Sequence, residues 1–221
     1  MKFCVAKVNS LCHLYVVPVL VCYIIFGMCQ SLLNYSPWYD EAMQFWISFG
    51  CAPDNMTMSN GMKDVIKLNQ NFNHDPGGFS ILLHFWLKVS HSIVWIRVLP
   101  LLLFLSSATV VYLTLQSLFK ERMLSFLICL TPFLSDTLLY FSTEIRAYSM
   151  ECLCSSFAVM AVCLLPRIND PKKIFGISFF LCLLMTSRYS AIILVAVAML
   201  VVTLLWFYRY KFNGIFYSKK I

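Results

Sequence analysis

An all-α, polytopic bundle of membrane helices is the fold class this sequence predicts, on three observations. Apolar residues fill 60% of the 221 positions and charged ones 12%, with a mean hydropathy of +0.77, far from the balance of a water-soluble domain. The uncharged stretch 11–33 is 23 residues long, and a helix needs about 20 to cross a hydrocarbon core of roughly 30 Å. Five more apolar runs follow, near 93–119, 123–141, 145–165, 174–188 and 190–208, divided by short charged connections.

The first run reads as a retained span, because Gln30-Ser31-Leu32-Leu33-Asn34 continues it without the small-residue pattern of a signal cleavage site. Residues 34–92 form the one extended non-membrane loop, and its first part holds Asp40, Glu41, Asp54, Asp64 and Asp75, five of the ten acids. Within it, Met43, Phe45, Trp46 and Phe49 are spaced for a short helix lying on the membrane surface. Residues 77–89 are apolar but too few to cross, so they read as a second interfacial or re-entrant helix. Of the six spans, 174–188 is the shortest and must borrow flanking residues or pair tightly with the sixth. No linker, low-complexity run or repeat divides the chain, which reads as one domain.

Basic residues set the orientation. With a cytoplasmic N-terminus, eleven of the 17 Lys and Arg fall on the cytoplasmic side and six, Lys63, Lys67, Lys88, Arg97, Arg146 and Arg188, on the other. The loop acids, the turn at 144–148 and the Arg188 turn then face one extracytoplasmic compartment. Had 77–89 crossed, the Glu144 turn would lie opposite Asp40. The formal charge of +7 sits at span ends rather than on one patch, which argues against nucleic acid. The cysteines fall mostly inside spans, where Cys behaves as a small apolar residue, and show neither metal spacing nor a disulfide framework. Asn55-Met56-Thr57 fits a glycosylation sequon on the extracytoplasmic side.

Asp40 and Glu41 open the first interfacial helix. One reading makes them favourable charges at a helix N-terminus; the other makes one a base that accepts a proton from an attacking hydroxyl, with its neighbour binding or tuning it. His74-Asp75-Pro76 leads into the second interfacial helix, either as an ordinary capping turn or as part of a site. Glu144, Arg146 and Tyr148 alternate along one connection. An arginine there suits phosphate, since its planar fork donates two hydrogen bonds to one anion, although it could also snorkel or pair with Glu144 or Glu151. Arg188 is open to the same two readings. Asp40, Glu41 and His74 form no recognised ligand spacing, so no metal is expected, and no glycine-rich phosphate loop or dinucleotide fingerprint is present.

At these residues the chain resembles the membrane-embedded GT-C glycosyltransferases, in the branch of the protein O-mannosyltransferases and the aminoarabinose transferase of lipid A. The resemblance rests on Tyr39-Asp40-Glu41-Ala42, on Asn73-His74-Asp75-Pro76 leading into Leu82-Leu83-His84-Phe85-Trp86-Leu87, on Arg97-Val98-Leu99-Pro100, and on Tyr140-Phe141-Ser142-Thr143-Glu144-Ile145-Arg146-Ala147-Tyr148, in that order and spacing. It implies a sugar donor linked to polyprenyl phosphate, an inverting displacement at the anomeric carbon, and a glycan, lipid or protein acceptor. Asp40 would be the base with Glu41 beside it; Arg146 and Arg188 would hold the lipid phosphate; His74, Asp75, Glu144 and Tyr148 would line the substrate. Members of that family have more spans, so these 221 residues would correspond to its N-terminal catalytic module, expected in a bacterial inner membrane rather than the endoplasmic reticulum. The alternative is a non-catalytic or truncated protein of the same fold that binds a lipid phosphate or a protein partner. A transporter would spread its polar residues through the spans, whereas the charges here gather near one membrane face.

Overall fold

The computed structural model describes residues 17–33, 36–52, 61–168 and 170–217, with side chains described as far as residue 208. The sequon at Asn55 and the start of the first apolar run lie outside the described residues. The fold is all-α: α1 (Val17–Leu33), α2 (Tyr39–Phe49), α3 (Met62–Phe72), α4 (Gly78–Leu87), α5 (Ile93–Phe119), α6 (Arg122–Leu130), α7 (Asp136–Thr143), α8 (Tyr148–Leu164), α9 (Pro171–Leu184) and α10 (Tyr189–Tyr217), with 3-10 turns at Thr131–Leu134 and Leu165–Arg167.

Three helical segments are long and apolar enough to cross a bilayer: Ile93–Phe119, Tyr148–Arg167 and Tyr189–Tyr208. Their surfaces carry the physical signature of a lipid solvent. On α10, Ile193, Val197, Leu200, Leu204 and Phe207 are all more than half exposed, a row of apolar side chains that water would not support. This is a membrane protein, and among the described residues three of the six expected runs form single helices that meet that length. The run 123–141 is not one straight span. Pro132 sits in a 3-10 turn, Ser135 takes an extended conformation with its hydroxyl accepting the Leu138 N–H, and the chain bends by 82° into α7. Counted as one broken span, that pair raises the candidate crossings among the described residues to four. Proline removes a helical N–H and its ring crowds the preceding turn, so the break has a local cause. α9 starts at Pro171 behind the Asp170 cap and has 14 residues, about 21 Å of rise, short of a hydrocarbon core.

The main core lies between α5, α8 and α10. Leu99, Val110, Met150, Leu153, Cys154, Ala158, Ala161, Val195 and Ala198 are buried in it together with Phe79 and Leu83 of α4. Small residues on α8 let the helices approach closely, and there the Ser107 and Ser156 hydroxyls meet at 2.7 Å. A second cluster joins α1 to α7 through Ile24, Met28, Phe104, Phe133 and Leu139.

Between α1 and α5 the loop holds three short helices, α3 in addition to the two expected. α3 buries only Val65 and Asn69, and those two positions four apart carry its attachment. Asn69 donates to the Asp75 carbonyl at 2.6 Å and accepts from Ser80 at 2.5 Å. Gln44 donates to Ser80 at 2.7 Å and accepts from Asn73 at 2.8 Å. This buried amide and hydroxyl network ties α2, α3 and α4 into one unit, each polar group satisfied by another.

Candidate active site

Asp40 and Glu41 lie in the first turn of α2, where the helix dipole favours acids, yet both are held by arginines from elsewhere in the chain. Asp40 pairs with Arg146 at 2.9 Å, with a third of the aspartate side chain exposed. Arg146 stands in the bent connection 144–147 between α7 and α8. Its partner is therefore Asp40 and not the Glu144 or Glu151 of the sequence alternatives. A further cation reaches the same place from the start of α10. Arg188 pairs with Glu151 at 3.4 Å and with Asp75 at 3.8 Å, and the Ser190 hydroxyl also bonds Glu151. The Tyr148 ring joins the two groups, with the Arg188 guanidinium 5.0 Å and the Arg146 guanidinium 5.8 Å from its centroid.

Asp75 reaches Arg188 because of its turn. His74 has φ 53° and Gly77 φ 92°, left-handed conformations that a glycine adopts without strain. The Gly78 N–H then donates to the Thr186 carbonyl at 2.9 Å. A side chain at Gly78 would place its Cβ 2.8 Å from both the Cβ and the carbonyl oxygen of Thr186, so only glycine lets the loop dock this closely on the end of α9. Burial pushes the Asp75 carboxyl above its ordinary range, while Arg188 and then Arg146 pull it back down. His74 is exposed beside it.

Glu41 has a different environment. It is 1% exposed; one carboxylate oxygen meets Arg97 at 3.0 Å and the other accepts the Ile145 N–H at 3.0 Å. Arg97 also donates to the Ser31 carbonyl at 3.0 Å. One buried pair thus gathers the end of α1, the start of α2, the first turns of α5 and the Glu144–Arg146 bend. Glu144, 2% exposed, accepts the Trp38 indole N–H at 3.0 Å, while its second oxygen is buried with no hydrogen-bond partner. Burial pushes this carboxyl up; the Trp38 bond opposes the shift, the nearby Glu41 charge adds to it, Arg146 lowers it and Asp40 raises it.

The geometry therefore links Asp40, Arg146, Tyr148, Arg188 and Asp75 in one chain of contacts, with His74 next to Asp75 in sequence and the buried Glu41 and Glu144 beside Asp40 and Arg146 in sequence. Arg97, Trp38 and Glu151 complete it. Arg97 and Glu151 had a visible signal in the sequence, a charge inside an apolar run that must find a partner; Trp38 had none that separated it from an interfacial anchor. The two guanidiniums are the groups suited to an anion. Among the described residues no group of three His, Cys, Asp or Glu side chains is arranged to hold a metal ion.

Fold and site define a helical membrane protein with a cluster of arginine–carboxylate pairs beside its loop helices. No family model matches the chain, and no curated protein and no solved structure matches it.

Proposed function

We propose that this chain is a glycosyltransferase that moves a monosaccharide from a polyprenyl phosphate-linked donor to an extracytoplasmic acceptor with inversion. The observation that carries the reading is the 2.9 Å approach of a part-exposed carboxylate, Asp40, to Arg146. It sets a carboxylate suited to act as a base against a cation suited to an anion, where the first turn of α2 meets the bend between α7 and α8. In the proposed reaction an acceptor hydroxyl oxygen attacks the anomeric carbon and the bond from that carbon to the phosphate oxygen breaks. Asp40 takes the hydroxyl proton, and the polyprenyl phosphate leaves as an anion held by Arg146 and Arg188. Positioned bases and fixed cations of this kind contribute most where charge develops. Glu41, locked to Arg97, sets the position of Asp40 and of the Arg146 bend.

A second reading, a non-catalytic binder of lipid phosphate, is favoured by the same pair seen differently: Arg146 holds Asp40 closely, so a phosphate would compete for the guanidinium. One assay separates the two. The full chain in lipid is given a panel of polyprenyl phosphate sugars and compared with Asp40→Asn. The expected result is transfer by the native protein and a loss of about a hundredfold or more in the variant, with donor binding kept. Donor binding without transfer or hydrolysis by the native chain would sink the enzyme reading.

A further inference from the structure

At the far end of α2 from Asp40, nine residues and about 14 Å along the helix, a separate cavity of about 240 Å³ is lined by Phe49, His84, Leu87, Lys88 and His91. Three of its five lining side chains are basic or can become so, and none is acidic. His84 Nδ1 lies 2.9 Å from the Ser48 carbonyl oxygen. A carbonyl only accepts, so Nδ1 carries its hydrogen, and a second proton must go to Nε2. The His91 ring packs edge-on against Phe49 with centroids 5.2 Å apart, and the Lys88 ammonium lies 4.8 Å over the Phe85 ring.

The segment that carries these groups is braced at its base. Trp86 and Trp95 stack at 4.5 Å with their planes 4° apart, and each indole N–H donates to the other residue's carbonyl, at 2.9 and 3.2 Å. The turn holding Lys88 and His91 therefore closes a fixed corner between α4 and α5, and the cavity is preformed.

We propose that this cavity is a second anion site, which takes a phosphoryl group on His84, Lys88 and His91. The Lys88 ammonium supplies a cation, the His84 and His91 rings supply nitrogens that can hydrogen-bond phosphoryl oxygens, and no lining carboxylate opposes an anion. The ligand is a phosphate monoester in solution or at a lipid headgroup. The titratable groups facing His84 are Lys88 and His91; α2 presents only Phe49 and the Ser48 carbonyl, and α5 brings no charged side chain to the lining. The site is independent of the proposed transfer reaction, and either can fail alone.

The test uses the full chain with nitrogen-15-labelled histidine in phosphatidylcholine nanodiscs. Inorganic phosphate is titrated in, and parallel discs contain phosphatidic acid. The His84 and His91 imidazole resonances, assigned with His84→Gln and His91→Gln, should move on binding. His91→Gln should weaken binding about tenfold without shifting the unfolding temperature, and Arg146→Gln should leave the effect intact. A response to inorganic phosphate identifies a soluble ester as the ligand class, and a response to phosphatidic acid alone identifies a lipid headgroup. No shift with either probe, or shifts confined to His74, would overturn the proposal. Should His84→Gln fail to fold, His91→Gln carries the test.

Discussion

Glu144 is a residue whose ionisation the fold opposes, through burial and an oxygen with no hydrogen-bond partner. A carboxyl with its folded pKa above the unfolded value holds its proton more tightly in the native state. Stability is then lost as pH rises from the unfolded value, about 4.3 for glutamate, through the folded one, and the penalty is complete above it. Glu144→Gln keeps an oxygen for the Trp38 indole and removes the charge, so it should raise the unfolding temperature at neutral pH by a few degrees, about 2–4 °C per kcal/mol for a chain of this size. At pH 4 the gain should vanish; a gain that is the same at both pH values would contradict the assignment. Glu41 is held differently, in a direct pair with Arg97. Glu41→Gln leaves the buried Arg97 guanidinium without its carboxylate and should cost about 3–5 kcal/mol, read by thermal unfolding in detergent. Replacing both, as Glu41→Leu with Arg97→Met, should recover much of that loss, because an apolar pair removes the buried charges altogether. Asp40 and Arg146 were legible in the sequence as charges beside apolar runs. That they pair with each other was not, since more than a hundred residues separate them and Arg146 had Glu144 and Glu151 closer in the chain.

Elements were legible where periodicity or length was strong. α2 and α4 occupy the two interfacial segments expected of the loop, and α5 spans its whole apolar run. α3 escaped because its sequence, Met62–Phe72, is mostly polar and binds the other helices through Asn69 rather than through an apolar stripe. The broken span escaped because an unbroken apolar run does not reveal the angle at which its halves meet; Pro132 was the available cue. Docking at Gly78 is a prediction belonging to this scale. Gly78→Ala puts a methyl group into the Thr186 backbone and side chain and should cost about 1–3 kcal/mol as an overpacking change. It should also draw Asp75 from Arg188 and lower activity in the transfer assay. Pairing the change with Thr186→Gly should restore part of the stability; an unchanged unfolding curve for Gly78→Ala alone would rule out the close approach.

At the scale of the molecule, α5 separates two faces. If it crosses the bilayer, cysteines introduced at Ser90 and at Lys120 in a cysteine-free background should react with a membrane-impermeant maleimide from opposite sides, with Ser90 on the same side as Asp75. Labelling of both from one side would refute the crossing and the shared compartment of the site. The membrane class, the all-α fold and the approximate extents of the long helices follow from sequence alone, because lipid demands runs of apolar residues long enough to satisfy their own backbone hydrogen bonds, and that demand is local and countable. Tertiary structure alone decided which charges meet. The Glu41–Arg97 pair, the Asp40–Arg146 pair and the two carboxylates on Arg188 join segments that are distant in sequence, and the energy of a buried charge depends on the partner the fold brings to it, not on its neighbours along the chain.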